Sequence, residues 1–390
     1  MKEVFIVSAK RTPTGGLLGN LSHLTAPQLG AIAIKNAYES IGLDAAAIDS
    51  VYMGNVLSAN IGQSPARQAA IYAGIPDDKD ATTVNKVCAA GMKATMIGAQ
   101  QIQLELENIV VTGGMESMSN TPHYVSIRKG HKSGNTEMTD GMLKDGLWDA
   151  YHNYHMGNAA ETGIRKYGLT REMLDEFAIL SYRKAAAATK NGKFKNEIIP
   201  IAHQQKNNTI VIDSDEDIDK IILDKVSKLK PAFEENGALT AANSSNLNDA
   251  AAALVLASAE AVEKYNLNPL AKIIGYADAA QAPEWFTTSP ALAIPKALKQ
   301  ANLGIGDIDF FEINEAYASV VLSIRQILAL DPDKINVYGG AVAMGHPIGA
   351  SGARIITTLC SVLKQEGGKY GVAAICNGGG GASAIVIGNL

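Results

Sequence analysis

The sequence contains few cysteines and comparatively few charged residues for its length. Its 390 residues include three cysteines, Cys88, Cys360 and Cys376, and no CxxC pair. An odd number at wide spacing excludes a readable disulfide framework and a zinc ribbon. Charged side chains make up 19% of the chain, below the roughly 25% of ordinary soluble domains, and apolar ones reach 47%. We therefore expect a large core, a reducing compartment and an oligomer that covers part of the surface.

The charge balance and the two ends of the sequence exclude further classes of protein. Lys plus Arg number 34 and Asp plus Glu number 39, so the net charge is −5, which argues against binding along a nucleic-acid backbone. The sequence shows no signal-peptide, transit-peptide, retrieval or peroxisomal pattern. The charge-poor stretch 371–390 contains four consecutive glycines and Asn377, which a membrane helix would not tolerate. We expect a cytoplasmic protein that binds neither nucleic acid nor membranes.

Two segments separated by 260 positions resemble each other. AYESIGLDAAAIDSVYMGN begins at Ala37, and ALKQANLGIGDIDFFEINE begins at Ala297. Both predict a helix, a short loop and a buried strand. A second pair of blocks, beginning at Cys88 and Gly349, predicts a helix followed by a strand in each case. These repeats indicate a duplicated α/β unit.

Residues 118–246, between the two copies, are richer in charge than the flanking sequence. Turn signals occur there at Asn191-Gly192, Asn207-Asn208 and 213–220. Thr170 is the expected N-cap of a helix that ends at Asn191-Gly192. We interpret the segment as an insertion between two well-buried units.

Short apolar runs predict the strands and helices of those units. The predicted strands are 4–8, 82–87, 109–112, 310–313, 335–338 and 372–376. The predicted helices are 29–41, 89–106, 291–301 and 353–364.

Cys88 lies between the strand-like TTVNKV and the helical AAGMKATMIGAQQI. The positive end of a helix dipole favours a thiolate, so this position predicts a lowered pKa for the thiol. Small neighbouring residues leave room for a substrate. The alternative is a cysteine that only packs in the core. That alternative is favoured for Cys360, which lies in the apolar helical segment RIITTLCSVL.

Three further polar residues lie near the ends of predicted strands. His346, in GGAVAMGHPIGASGAR, can serve as a general base for a thiol. Cys376 opens CNGGGGAS, whose glycines let a ligand approach the backbone. Asn314 follows FFEI, where an α/β sheet forms its ligand crevice. The alternatives are a loop-stabilising histidine, a hairpin turn and a helix cap. Together these residues predict a thiol nucleophile, a base and a second proton carrier for acyl transfer.

Four blocks carry a resemblance to a known family. VNKVCAAGMKA, NEAYA, GGAVAMGHPIGASGAR and CNGGGGASAIVIG resemble the active-site blocks of the thiolases, and GGMESMS and HMGNAAE are similar too. The resemblance spans essentially the whole chain and is closest to the acetyl-CoA C-acetyltransferase branch. It implies reversible condensation of two acetyl-CoA molecules to acetoacetyl-CoA and CoA.

The resemblance implies a role for each matching catalytic position. Cys88 would become acetylated, His346 would take its proton, and Cys376 would exchange the α-proton of the second acetyl-CoA. Asn314 would hold a water that, with His346, binds the enolate oxygen. The N–H groups of Cys88 and Gly378 would form a second oxyanion hole.

The fold implied by the resemblance is the α/β thiolase fold. Two duplicated βαβαβαββ halves would form a layered α-β-α-β-α core with an inserted loop domain. The halves would be 1–117 with 247–270, and 271–390, and the loop domain 118–246 would bind CoA. The positions expected to contact the CoA thioesters are Leu147, His155, Met156, Phe233, Ala241, Ser244, Ser245, Leu247, Ala316 and Tyr317.

This sequence departs from the family pattern at four positions near those contacts. Ala90, Tyr317, Ser244 and Ala250 stand where the family usually has Ser, Phe, Ala and Gly. None of these departures removes a catalytic group, but Tyr317 and Ser244 are expected to alter the fit around the acyl and pantetheine arms. The basic residue near the adenine would be one of two, Lys220 or Lys225.

The resemblance also implies ligands and an assembly. Substrates would be acetyl-CoA, acetoacetyl-CoA and CoA, with no permanently bound cofactor and no catalytic metal. Some relatives bind K⁺ near the CoA loop, and no ligands for it are assigned here. A homotetramer, a dimer of dimers, would use 121–134 as its contact loop. The alternatives are a 3-ketoacyl-CoA thiolase of longer chain range, a ketosynthase, and a thiolase-like lipid-binding protein without turnover.

Overall fold

The computed structural model describes residues 2–205 and 208–390, and in this part of the chain it contains sixteen strands and ten α-helices. The strands are β1 (Val4–Arg11), β2 (Gly15–Gly16), β3 (Ser50–Gly54), β4 (Asp80–Val84), β5 (Ile109–Ser117), β6 (His123–Tyr124), β7 (Thr139–Asp140), β8 (Trp148–Asp149), β9 (Tyr154–His155), β10 (Ile201–Gln205), β11 (Asn208–Ile212), β12 (Asn248–Ser258), β13 (Ala271–Ala280), β14 (Phe310–Ile313), β15 (Tyr370–Asn377) and β16 (Gly381–Asn389). The helices are α1 (Ala26–Glu39), α2 (Pro65–Tyr72), α3 (Ala90–Gln103), α4 (Met156–Tyr167), α5 (Arg171–Lys190), α6 (Ala259–Lys264), α7 (Pro290–Ala301), α8 (Ala318–Leu328), α9 (Ala341–Met344) and α10 (Ile348–Glu366). Across these two ranges, every helix is too short or too polar to cross a membrane.

Ten strands form one mixed sheet in the order β14-β15-β16-β13-β1-β12-β5-β3-β4, with β2 paired to β12. β3 runs parallel to β4 and β5, and β14 runs parallel to β15. β1 meets β13 through only three residue pairs, from Val4–Ile273 to Ile6–Ala271. We call β4-β3-β5-β12-β1 the N-terminal layer and β13-β16-β15-β14 the C-terminal layer.

The helices α3 and α10 contact each other and strands of both layers, so they lie between the two layers. α1 and α2 pack on the N-terminal layer, and α7 packs on the C-terminal one. The layers therefore alternate as helix, sheet, helix pair, sheet and helix, which confirms the predicted fold class.

The duplication is visible in matching local contacts. The 3₁₀ turns Ala45–Ala47 and Ile305–Asp307 lie 260 positions apart. Asp49 Oδ2 accepts a hydrogen bond from Ile109 N at 2.9 Å, and Asp309 Oδ2 accepts one from Tyr370 N at 3.0 Å. Each aspartate thus satisfies the first N–H groups of the strand that follows a central helix. The 260-residue repeat is therefore a repeat of structure as well as of sequence.

Glycines bring the two central helices into backbone contact with each other and with strands β3 and β5. A Cβ built at Gly54 would lie 2.4 Å from Gly91 N, and one at Gly114 would lie 2.1 Å from Gly349 O. A Cβ at Gly352 would lie 2.5 Å from Met92 N. Because no side chain fits at these points, the N-terminal ends of α3 and α10 lie close together. Cys88 and His346 precede those two ends.

The strand predicted at 335–338 is wrong. Only an isolated bridge between Phe311 and Ile335 forms there, and Asn336 has φ +44°. Asn336 Oδ1 accepts from Ile313 N, and its Nδ2 donates to Ile313 O, both at 2.8 Å. The amide side chain therefore bonds to β14 as a neighbouring strand would. The strand predicted at 82–87 likewise ends early, at Val84, because Val87 has φ +49°.

The middle segment contains α4, α5 and the hairpin β10–β11. Thr170 Oγ1 accepts a hydrogen bond from Met173 N, and α5 ends with Asn191 as its C-cap, as predicted. Asn208 begins β11 and pairs with Gln205 at the end of this hairpin, next to the predicted turn, and Asn207 lies outside the described residues. α4 and α5 contact α8 and α9 of the C-terminal half. The domain limits at 117, 246 and 270 stay a prediction.

Candidate active site

A cavity of about 670 Å³ opens between the middle segment and the two layers. This volume lies within the range of pockets that hold small ligands. Cys88, His346 and Gly378 line it, as do all ten positions expected to contact a CoA thioester: Leu147, His155, Met156, Phe233, Ala241, Ser244, Ser245, Leu247, Ala316 and Tyr317. Cys376 and Asn314 are fully buried and lie outside this lining. The roles of these residues stay proposals.

Cys88 lies in a sharp turn between β4 and α3. Val87 has φ +49°, a conformation that is rare for a β-branched residue. Ala89 N donates to Lys86 O at 3.1 Å, and Ala90 N donates to Val87 O at 2.9 Å. The chain therefore reverses around Cys88 and exposes it to the cavity.

The predicted low pKa of the Cys88 thiol is wrong. Burial raises the pKa to about 11, although the N–H groups of Gly378 and of Cys88 itself hydrogen-bond to the sulfur and oppose the rise. The Glu116 carboxylate adds a smaller upward contribution. Desolvation outweighs the helix terminus here, so the resting thiol is neutral. The two N–H groups expected to form an oxyanion hole do converge at this sulfur.

Ser351 fixes the tautomer of His346. The distance from His346 Nδ1 to Ser351 Oγ is 2.6 Å, and Ser351 Oγ donates to Pro347 O at 3.0 Å. A serine hydroxyl has one proton to donate, and with that proton on Pro347 O the serine oxygen accepts from Nδ1–H. Nε2 is then the basic nitrogen, and it is buried with no hydrogen-bond partner among the residues described. This arrangement favours a general base over a histidine that only stabilises its loop.

The imidazole of His346 is neutral at ordinary pH. Burial, and then the nearby Arg354 guanidinium, lowers the pKa of His346 to about 3. Its backbone N–H donates to Asn248 Oδ1 at 3.0 Å, which holds the loop against β12. A neutral base and a neutral thiol that line the same cavity are the starting state that proton transfer between them requires.

Cys376 and Asn314 lie near the ends of two neighbouring strands, β15 and β14. Cys376, one residue before the end of β15, pairs with Ala382 of β16, and burial together with the nearby Cys88 thiol raises its pKa. Asn314 N donates to Ala374 O of β15 at 2.9 Å. Both polar atoms of the Asn314 side chain are buried without a partner in the described parts of the chain. Asn314 is therefore not a helix cap, and α8 begins only after Tyr317.

Aromatic rings line the way from the cavity mouth to the thiols. The Phe233 ring stacks on His155 at 4.7 Å between centroids and meets Tyr317 edge-on at 5.9 Å. Phe286 meets the other side of Tyr317 at 6.4 Å. His155 Nδ1 also accepts from Gly157 N at 3.0 Å and so caps α4. This row of rings makes an apolar channel suited to a narrow alkyl amide arm.

Sequence reasoning missed three residues of this site. Glu116, in the GGMESMS block, accepts hydrogen bonds from Leu57 N at 3.1 Å and Gly349 N at 2.9 Å. Its carboxyl joins two loops, and burial raises its pKa to about 7. Ser351 lies in the GASGAR block and Phe286 lies in no block. Of the two lysines considered for the adenine, only Lys220 lines the cavity, where it pairs with Glu216 and Asp217.

Comparison with known proteins agrees with this geometry. The family model for the N-terminal domain of thiolase matches residues 4–260, and that for the C-terminal domain matches residues 267–389. Acetyl-CoA acetyltransferase 2 of Arabidopsis thaliana is 52% identical over 390 residues, covering 99% of this chain and 97% of that protein. Acetyl-CoA acetyltransferase of Saccharomyces cerevisiae is 50% identical, covering 99% of each.

A solved structure is similar over the same length. The crystal structure of the Acat5 thiolase from Ascaris suum in complex with coenzyme A has a TM-score of 0.95 and 46% sequence identity, covering 100% of both chains. Two family models together cover nearly the whole sequence, and the relatives match it from end to end. The chain therefore belongs to the thiolase family.

Proposed function

We propose that this chain is an acetyl-CoA C-acetyltransferase, which joins two acetyl-CoA molecules reversibly into acetoacetyl-CoA and CoA. One observation carries the proposal: an imidazole nitrogen that is buried without a partner among the described residues and a cysteine thiol line the same apolar cavity, and a second buried thiol lies near the first. Full-length relatives at about half identity bear the name acetyl-CoA acetyltransferase.

In the first half-reaction, Cys88 acquires the acetyl group. His346 Nε2 takes the thiol proton, and the sulfur attacks the thioester carbonyl carbon. The carbon–sulfur bond to CoA then breaks, and the proton passes from His346 to the departing CoA thiolate. The N–H groups of Cys88 and Gly378 lie where they can bind the carbonyl oxygen of the acetyl-enzyme as negative charge develops there.

In the second half-reaction, His346 Nε2 takes the proton of the Cys376 thiol, and the resulting thiolate removes a proton from the α-carbon of another acetyl-CoA. The enolate carbon bonds to the acetyl carbon on Cys88, and the Cys88 sulfur leaves as a thiolate that takes the proton back from His346. Asn314, through a water, and His346 Nε2 supply donors to the enolate oxygen. Because burial raises the pKa of Cys376, its thiolate is a stronger base than an exposed one, which reduces the mismatch with a weakly acidic α-proton.

Several finer properties accompany this proposal. We also propose a cytoplasmic location, a homotetramer with 121–134 as its contact loop, and binding of K⁺ near the CoA loop. Analytical ultracentrifugation and a comparison of the rate in potassium and in sodium buffers test the last two. The length of the acyl chain that is accepted separates this proposal from a longer-range 3-ketoacyl-CoA thiolase. It is the first property to examine, because Tyr317 and Phe286 fill the acyl end of the channel.

The test is CoA-dependent thiolysis of acetoacetyl-CoA beside a long-chain 3-ketoacyl-CoA. We expect rapid cleavage of the short substrate only, and loss of that activity in Cys88→Ala. Comparable or faster cleavage of the long substrate would show that the protein is a 3-ketoacyl-CoA thiolase of longer chain range. If the folded protein cleaves neither, it is a binding protein without turnover.

Cys376→Ser separates the two half-reactions. This variant should still form acetyl-Cys88 from acetyl-CoA, detected by mass spectrometry as acetylation of the peptide that contains Cys88. Condensation should fall by at least about a thousandfold, because a serine hydroxyl is far less acidic than a thiol. Wild-type condensation in this variant would remove Cys376 from the mechanism.

A further inference from the structure

The turn that presents Cys88 contains a strained residue. Val87 has φ +49°, in a region that β-branched side chains rarely occupy because of steric crowding. Its N–H donates to Asn85 Oδ1 at 3.0 Å, but both groups belong to the same turn. A bond within the turn does not fix the turn relative to the rest of the site. A contact from outside is needed for that.

Lys86 supplies such a contact, and it reaches from the N-terminal layer to the C-terminal one. Its Nζ donates to the Asp278 carboxylate of β13, to Ser383 Oγ of β16 at 2.8 Å, and to Ala382 O at 3.3 Å. Asp278 in turn accepts from Ser383 Oγ at 2.6 Å and from Lys93 Nζ at 2.7 Å. We call Lys86, Asp278, Ser383 and the Ala382 carbonyl the interlayer clamp.

The interlayer clamp connects the two cysteines of the site. Ala382 is the residue of β16 that pairs with Cys376, and Lys86 stands two residues before Cys88. Cys88 follows the N-terminal layer and Cys376 belongs to the C-terminal layer, so their separation depends on how the layers are joined. The Lys86 ammonium group hydrogen-bonds to the carbonyl of Ala382, which pairs with Cys376, and the Lys86 backbone belongs to the turn that carries Cys88.

We propose that Lys86 is a positioning residue that keeps Val87 in its left-handed conformation and thereby sets the spacing between the Cys88 and Cys376 sulfurs. Lys86 does not line the cavity, so it acts through the turn and not on the substrate. This inference rests on the proposed condensation, in which both sulfurs must reach the same pair of carbon atoms. Without the clamp, Val87 relaxes toward extended backbone and Cys88 moves with it.

The test begins with Lys86→Met, which keeps the side-chain stem and removes the charge. We expect kcat for acetoacetyl-CoA thiolysis to fall about 10- to 100-fold, because a displacement of about 1 Å is that costly to a reacting geometry. KM should stay within about twofold, since the residues that line the channel around Phe233 are unchanged. Alkylation of Cys88 by iodoacetamide, followed by mass spectrometry, should slow in parallel.

A second substitution and a control isolate the role of the turn. Adding Val87→Gly to Lys86→Met should raise kcat about three- to tenfold, because glycine adopts positive φ without steric strain. Lys93→Met removes a different bond to the same Asp278 and leaves the turn untouched. It should keep kcat within about threefold of the wild type.

Three results would overturn the proposal. One is an unchanged kcat and alkylation rate in Lys86→Met, and another is a lower unfolding midpoint with unchanged kcat, which would mean that Lys86 only stabilises the fold. The third is a failure of Val87→Gly to restore kcat. If the wild type itself does not cleave acetoacetyl-CoA, the proposed function fails. The alkylation rate of Cys88, which requires no acyl transfer, still tests the role of Lys86.

Discussion

Ser351 decides which nitrogen of His346 carries the proton. The serine hydroxyl donates to Pro347 O and so can only accept from the imidazole. Two hydrogen bonds of one small side chain therefore orient the base and leave Nε2 free. The other tautomer would present a proton to Cys88, and no proton transfer from the thiol would follow.

We expect Ser351→Ala to lower kcat about 10-fold or more while KM changes less, because the substitution removes the bond that selects the tautomer. The acid limb of the pH–rate profile should also shift. Thr357→Val is the matched control, since Thr357 Oγ1 makes the same kind of bond to a carbonyl four residues earlier but does not touch His346. Equal effects of the two substitutions would show that Ser351 serves only helix α10.

Glu312 is a buried carboxyl group whose Oε1 has no hydrogen-bond partner among the residues described. Burial, opposed by Arg354, raises its pKa from 4.5 to about 8. Between those two values the folded protein holds a proton that the unfolded chain releases. The stabilisation from this group is thus fully present below about pH 4.5 and is lost as the pH rises through about 8.

Glu312→Gln should therefore become more stable relative to the wild type as the pH rises from 5 to 8. The difference should grow by up to about 1.4 kcal/mol per pH unit. Urea unfolding at pH 5, 6.5 and 8 measures it, with the exposed Glu235→Gln as control. Parallel stability profiles for the wild type and Glu312→Gln would contradict the raised pKa.

The sequence indicates the residues that we propose to react but not the residues that support them. Cys88, His346, Cys376 and Asn314 stand in short blocks whose residue types already suggest acyl transfer. Glu116 lies in a block too, yet its bonds to loops far apart in the chain become visible only after folding. The sequence predicts the wrong direction for the pKa of Cys88 for a related reason: a helix terminus is visible in a sequence, whereas desolvation depends on everything packed around the sulfur.

At the scale of elements, glycine sets the spacing of the two central helices. Position 352 of α10 faces the backbone of α3 at Met92. Intrinsic helix propensity favours alanine over glycine by about 1 kcal/mol, so helix propensity alone predicts that Gly352→Ala stabilises the fold. The packing against Met92 predicts that the same substitution destabilises it.

We expect Gly352→Ala to destabilise the fold by about 1–3 kcal/mol through overpacking, and to reduce activity because α10 carries the His346 loop at its N-terminus. Gly306→Ala is the control, since a Cβ there meets nothing within 4 Å, and it should change stability by no more than about 0.5 kcal/mol. Chemical denaturation compares the two. A neutral or stabilising Gly352→Ala would refute the tight contact.

The elements themselves differ in how well the sequence predicts them. β14 and α7 have nearly the predicted limits, because apolar periodicity and Pro290 define them locally. The same reasoning predicts a strand for the segment 335–338, where the structure has only an isolated bridge. Its apolar residues suit a strand, but the Asn336 side chain replaces the ladder bonds, and side-chain to backbone bonding of this kind leaves no periodic signal.

At the scale of the whole molecule, the cavity is assembled from three parts of the chain. The middle segment supplies Phe233, the N-terminal half supplies Cys88, and the C-terminal half supplies His346. A ligand that fills the cavity contacts all three, so it should stabilise the folded protein by mass action.

CoA at 100 times its Kd should raise stability by about 2.7 kcal/mol. Phe233→Ala should require about tenfold more CoA for the same thermal shift and should raise KM, because the stacked ring at His155 is lost. Tyr72→Ala, on an exposed part of α2, should behave as the wild type. An unaltered CoA titration in Phe233→Ala would place the CoA arm elsewhere.

The close glycine contacts also constrain how such a protein can diverge. Gly54, Gly114 and Gly352 lie where neighbouring backbones approach each other closely beneath Cys88 and His346. Substitutions at these three positions are therefore almost excluded on steric grounds. The wall around Phe233 and Met156, which comes from the inserted segment, consists of side chains, and its close glycine contact is the one between Gly157 and the Phe233 ring. A change of acyl preference during evolution, or in a directed library, should therefore accumulate in residues 118–246 and at Phe286 and Tyr317, while the pair of helices beneath stays almost unaltered.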